Sequence, residues 1–243
     1  MTSPQVAGIP AQDGNVPREA VLFVHIQKTA GMSLYNSMAK WFGTERALRF
    51  PRSTPQMQER FLALPEAELE RLRLLSGHFD LPFWLRRNVG DRLLVSLVRE
   101  PVERVLSSYR YMRGWTQHRR HAEVAGMSDA QMVDDHVSDP SRHNWQCRKL
   151  CGAADFRAAR DMARKHIDLL GSVEMIGLAT AALGERLGVS IDLRSDNLSP
   201  VAQPCRDDLE PALLARLQAA NLEDYRLWAW VIDQNLARGH GAA

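Results

Sequence analysis

The 243-residue chain is poor in cysteine, poor in lysine and free of long apolar runs. Its three cysteines, Cys147, Cys151 and Cys205, form no CxxC pair and cannot all bond within one chain. Neither a disulfide scaffold nor a structural zinc site is therefore expected, and a reducing compartment fits best. Cys147 and Cys151 stand one helical turn apart, a spacing read as core packing. The longest apolar stretches, Val21–Ile26 and Leu93–Val98, fall far short of the ~20 residues that cross a bilayer. Basic and acidic side chains number 31 and 29, a net charge of +2. That balance excludes a surface built for nucleic acid and leaves room for a local anion site. Only four of the basic residues are lysine (28, 40, 149 and 165). Residues 1–19 lack the apolar core of a secretory leader and read as an unordered tail, which places the protein in the cytoplasm.

What is present suits a folded core: 45% hydrophobic and 25% charged residues are ordinary globular values. Residues 20–238 read as one α/β domain with a mainly parallel sheet. Val21–Ile26 is a β-branched and aromatic run expected to be a strand buried on both faces, followed by a short loop and a helix over Met32–Phe42. Thr54–Leu75 reads as helical, with a Glu-rich turn after Pro65. Arg92–Val98 is a second strand, and Pro101 opens a helix to about Met112. Arg113–Arg142 is an irregular excursion holding one or two short helices. Met175–Leu178 reads as a short strand leading into a helix that ends near Gly188. Asp207 and Asp208 precede a final helical pair reaching Leu236, with Trp228 and Trp230 on different faces.

Ligands of open parallel sheets bind beyond the carboxyl ends of the strands, where helix N-termini present unpaired N–H groups. Unusual chemistry stands at two such places. The loop from His25 to Leu34 carries Lys28, Thr29, Ala30, Gly31, Met32 and Ser33. Gly31 lets backbone approach an anion, the Thr29–Ser33 N–H groups form a nest, and the Thr29 and Ser33 hydroxyls add donors. Lys28 adds a mobile charge. The loop is not a Walker A sequence, since GxxxxGK[ST] is absent, which argues against ordinary ATP or GTP hydrolysis. A helix cap beside a surface lysine is the competing reading. At the second place, Arg99 ends a strand and offers a planar fork to a phosphate, and Ser107 follows two helical turns later. Arg104 either contributes there or lies on a solvated helix face.

Together these segments resemble the two donor motifs of carbohydrate-type sulfotransferases related to heparan sulfate 2-O- and uronyl sulfotransferases and their bacterial relatives. That family carries an HIPKTAGTS loop for a 5′-phosphosulfate and an LRDPVERxxSxYR segment for a 3′-phosphate. Ser76-Gly-His-Phe79 resembles its Gly-His segment, and Asn144–Gly152 is similar to its Asn-x-Gln-x-Arg-x-Leu-x-Gly stretch. Met175–Leu178 and Asn197–Pro200 are similar to later segments. Departures are Gln27 for Pro, Met32 for Thr, Glu100 for Asp, and Glu174 placed before the late strand instead of after it.

The resemblance implies a P-loop-NTPase-like three-layer α/β fold with a mainly parallel central sheet flanked by helices. It implies PAPS (3′-phosphoadenosine 5′-phosphosulfate) as donor and an acceptor hydroxyl on a carbohydrate or glycolipid, with no metal. Lys28, Thr29, Ala30, Gly31, Met32, Ser33, Arg99 and Ser107 are the expected donor-binding residues. Lys28 would stabilise the leaving phosphate and His78 would act as general base. The alternative for His78 is a strand-end cap; His25 is read as structural, and Glu45 and Asp80 are reserve bases. Trp84, Trp115 and Trp145 either stack on a sugar or pack. Arg86, Arg87 and the Arg113–His121 charges either meet an anionic saccharide or lie in solvent, and Arg148 and Lys149 either close over the donor or leave it untouched. Two other readings stay open: a nucleotide-binding regulatory protein that lost the chemistry, and a phosphotransferase.

Overall fold

The computed structural model describes residues 19–193 and 205–240. The expected tail, apart from Glu19, and the Asn197–Pro200 segment lie outside the described residues.

The strands are β1 (Val21–Val24), β2 (Ala47–Phe50), β3 (Leu74–Gly77), β4 (Leu93–Val98) and β5 (Leu169–Ser172). They form one sheet in the order β2-β3-β1-β4-β5, and every pairing is parallel. The helices are α1 (Gly31–Phe42), α2 (Pro55–Leu62), α3 (Glu66–Arg71), α4 (Leu81–Trp84), α5 (Pro101–Gly114) and α6 (His121–Val124), then α7 (Asp129–Val137), α8 (Trp145–Cys151), α9 (Phe156–His166), α10 (Ile176–Leu187), α11 (Pro211–Ala220) and α12 (Leu222–His240).

The layers follow from strand alternation. Val21 and Phe23 of β1 pack with Leu34, Met38 and Phe42 of α1 and with Leu183 and Leu187 of α10. Leu22 and Val24 belong to the opposite core, with Phe61, Leu69, Phe83 and Trp84 from α2, α3 and α4. A third cluster joins Ile26 and Val98 to α8, α9 and α12 through Cys147, Leu150, Ala159 and Leu227. Cys147 is thus a core residue, as its spacing suggests. Beyond the sheet, Val105, Tyr109, Met132 and Leu217 bind α5, α7 and α11 together.

The fold class and strands β1 and β4 agree with the sequence reading, and three strands differ from it. Leu74 and Leu75, expected in a helix, begin β3. Arg73 is already aligned for pairing, donating to the Arg46 carbonyl and accepting from Val21 N–H. Sheet pairing here outweighs the helical preference of leucine. The edge strand β2 is four residues long and has no alternation to mark it. The last strand is Leu169–Ser172, not Met175–Leu178, which instead begins α10. Glu174 therefore follows the last strand, and that apparent departure from the family pattern disappears.

Gly171 on β5 is fixed by close packing. A Cβ there would lie 2.5 Å from Ala179 Cβ and 2.8 Å from Leu97 Cδ2. Gly171→Ala should destabilise the protein by about 1–3 kcal/mol in urea unfolding. Unchanged stability would contradict this contact between β5 and α10.

Candidate active site

β1 and β4 are neighbours, so the turns that leave their carboxyl ends lie side by side. The first turn is wound tightly. Lys28 and Ala30 both take positive φ, 70° and 57°, at a cost of about 1–3 kcal/mol per residue for a side chain other than glycine. Left-handed residues alternating with Thr29 are the backbone pattern from which anion-binding concavities are built. α1 then begins with no side-chain cap at Ala30 and no acidic residue in its first turn. Its first backbone bond runs from Leu34 N–H to the Ala30 carbonyl, which leaves the N–H groups of Gly31, Met32 and Ser33 without an intrahelical acceptor.

Two expectations for this loop change. The Thr29 hydroxyl is buried and donates to the Ile26 carbonyl at 2.8 Å, so it holds the turn closed and is not presented outward. The space left by the missing Gly31 side chain is filled by His25, whose ring would lie 2.1 Å from a Cβ at that position. His25 is structural, as read, stacking on Phe23 and meeting His78 edge-on with centroids 4.6 Å apart. Ser33 is half-buried in the first turn of α1, and the Met32 sulfur contacts the Arg49 guanidinium.

Arg99 is held at its backbone and reaches the first turn with its side chain. The Gln146 amide accepts from Arg99 N–H and donates to the Arg99 carbonyl, both at 2.8 Å. Arg99 Nη1 donates to the Lys28 carbonyl at 3.4 Å. The two separated motifs therefore meet. Arg99 and Arg110 both bond Glu103 Oε2, at 3.2 and 3.1 Å. Glu103, Ser107, Arg110 and Tyr111 follow one stripe of α5 by their spacing, which aligns Ser107 with the paired charges. Lys28 Nζ lies 4.2 Å from the Tyr111 ring centroid. Burial, then Arg99 and Arg110, lower the Lys28 pKa to about 8.

His78 follows β3, adjacent to β1 on its other side. Burial first, then Lys149 and Arg49, push its pKa down to about 4, opposed by a hydrogen bond to the Pro51 carbonyl. The imidazole is therefore neutral at pH 7. Lys149 Nζ donates to the His78 carbonyl at 2.6 Å and is buried, so it braces the His78 backbone. Asp80 caps α4 by accepting from Phe83 N–H at 2.8 Å. Glu45 precedes β2 and so lies at the amino end of the sheet, away from the site.

The Asn144–Gly152 stretch ties α8 to α12. Asn144 Oδ1 accepts from the Glu223 and Asp224 N–H groups at the start of α12, while Asp224 accepts from the Gln146 and Cys147 N–H groups at the start of α8. Arg148 binds the His143 and Pro140 carbonyls. Arg104 is 5% exposed, which overturns the solvated-face reading; the buried Asp224 carboxylate supports its charge. Glu174 accepts from Glu100 N–H and Trp228 Nε1, both at 2.9 Å.

Among the tryptophans, Trp84 is core, Trp145 donates to Gln27 Oε1 at 2.8 Å, and Trp115 is 39% exposed beside Tyr111 and His118. Arg87 bonds Glu66 and the Phe61 carbonyl, and Arg113 bonds the Val124 and Met127 carbonyls. Arg86 lies over the Phe83 ring. Sequence reading missed Arg110 and Arg49. The first could have been found from its place seven residues after Glu103; the second sits on the unforeseen β2.

A parallel sheet that gathers cations where two adjacent strands end is a framework for binding an anionic ligand. A family model described as the Sulfotransferase family matches residues 16–228, and the chain belongs to that family. No curated protein matches it.

Two buried histidines, His25 and His136, and the partly buried His78 make stability sensitive to acid. Burial is the leading cause in each: His25 is held well below its ordinary pKa, His78 near 4 and His136 near 3. The unfolded chain takes up these protons near pH ~6.5 and the native protein does not. Their contribution is thus complete above that pH and is lost as pH falls toward 4, by up to ~1.4 kcal/mol per pH unit for each histidine. Urea unfolding at pH 7 and pH 5 should show a fall of several kcal/mol. Equal stability at both values would contradict the neutral burial of these rings.

Proposed function

We propose that this sulfotransferase takes its sulfuryl group from PAPS and delivers it to a hydroxyl of a carbohydrate or glycolipid. The observation that carries the reading is the hydrogen bond from Arg99 Nη1 to the Lys28 carbonyl, which brings the two motifs together. The residues fit a nucleotide with charge at both ends. Lys28 and the uncapped start of α1 follow β1, and Arg99, Arg110 and the Ser107 stripe follow β4. Burial of Lys28 beside two guanidiniums is costly unless an anion shares the space.

PAPS, when bound, supplies an activated sulfuryl group on a phosphate leaving group. The backbone N–H groups of Thr29, Ala30, Gly31, Met32 and Ser33, with Ser33 Oγ, hold the 5′ end. Arg99 and Ser107 hold the 3′-phosphate, and Arg110 joins them. Lys28 keeps its proton at Nζ and stabilises the negative charge that grows on the bridging oxygen. His78 accepts the acceptor proton at the ring nitrogen that does not face Pro51. Its depressed pKa makes it a weak base alone. Bound negative charge raises it, because Lys149 and Arg49 would then be partly neutralised.

Adenosine 3′,5′-bisphosphate at 100 times its Kd should stabilise the protein by about 2.7 kcal/mol, a Tm rise of several degrees. Equal stabilisation by ATP would overturn the donor assignment and favour a phosphotransferase. The kcat/KM profile should fall on an acid limb near His78's value of about 4 and on an alkaline limb near Lys28's value of about 8. His78→Ala should abolish turnover of labelled PAPS yet keep bisphosphate binding. Full activity in that variant would remove His78 as base while leaving the family unaffected.

A further inference from the structure

The cationic site contains a negative charge of its own. Glu103 Oε2 accepts from Arg99 Nη2 and Arg110 Nη2, and Glu103 Oε1 accepts from the Arg206 N–H at 2.7 Å. The three side chains are 22%, 12% and 22% exposed for Arg99, Arg110 and Glu103, so solvent screens them only in part. Toward the two guanidiniums, this carboxylate already stands as a phosphate oxygen would.

We propose that Glu103 is a resident counter-anion that restrains affinity for the donor nucleotide and hastens departure of the bisphosphate product. This rests on the donor reading given above. A carboxylate between two arginines can either orient them or compete with a ligand, and the surroundings decide between these roles. Arg99 is already placed without Glu103, through the Gln146 amide on its backbone and the Lys28 carbonyl on its Nη1. Glu103 also receives Arg110 and the Arg206 N–H, bonds that a glutamine can keep in part; what its carboxylate adds beyond them is charge. At an effective dielectric of ~20, a unit charge a few ångströms from a bound phosphate outweighs the rotamer freedom that two loosened arginines would regain. Neutralising Glu103 therefore tightens nucleotide binding, and the change falls mainly on the dissociation rate.

The test is calorimetric titration of adenosine 3′,5′-bisphosphate into the full chain and its Glu103→Gln, Glu103→Ala and Glu103→Asp variants, with stopped-flow displacement for the off-rate. Thermal unfolding without ligand checks that each variant folds. Gln and Ala should bind about tenfold tighter and release the ligand more slowly, whereas Asp, which keeps the charge, should not gain affinity. Either neutral variant that folds suffices to read the sign. Binding that is unchanged or weaker in a folded neutral variant, with the wild type binding normally, overturns the role of Glu103 alone. A wild type that ignores the bisphosphate overturns the donor reading and this inference with it.

Discussion

Lys28, Arg99 and Arg110 are pressed together at the carboxyl ends of β1 and β4, and their mutual repulsion is the constraint around which the surrounding structure is organised. Burial and its two neighbours lower the proton affinity of Lys28. Glu103 offsets only part of that repulsion, so the turns must be held by forces that act on backbone. The Thr29 hydroxyl closes the first turn onto the Ile26 carbonyl, and the His25 ring fills the space above Gly31. The Gln146 amide satisfies both backbone groups of Arg99.

Gln146 is itself held from a distance. Asn144 caps α12 while Asp224, from α12, caps α8, so each helix start is completed by the other. Both groups are buried or partly so, and a lost partner there would leave unpaired backbone donors at roughly 1–3 kcal/mol each. On the other flank, Glu174 after β5 receives the Glu100 N–H, and Tyr225 of α12 donates to the Glu100 carboxylate. The C-terminal helix thereby steadies the start of α5. Elements that touch no ligand in this account still fix where the cations stand.

Much of this was legible in the sequence where the local pattern was long and of one kind. β1 and β4 are nearly continuous apolar runs, and Pro101 marks the start of α5. Lys28 and Arg99 were legible because loops following such strands have a predictable place. β2, β3 and β5 were not: unlike β1, none carries a β-branched run, β3 and β5 being leucine, glycine and serine and β2 mixing alanine and arginine. Arg49 was lost with β2, and Glu174 was misplaced relative to a strand whose position was misread. Gln146 appeared only within a family-like stretch, because its role depends on a contact 47 residues away.

The convergence of the two turns is tested most directly by a double-mutant cycle on adenosine 3′,5′-bisphosphate binding, with Lys28→Met, Arg99→Met and the pair together. Residues that share one ligand and whose side-chain charges act on each other should show a coupling of at least ~0.5 kcal/mol. Losses that simply add, or a bisphosphate affinity indifferent to either residue, would contradict a single shared anion site.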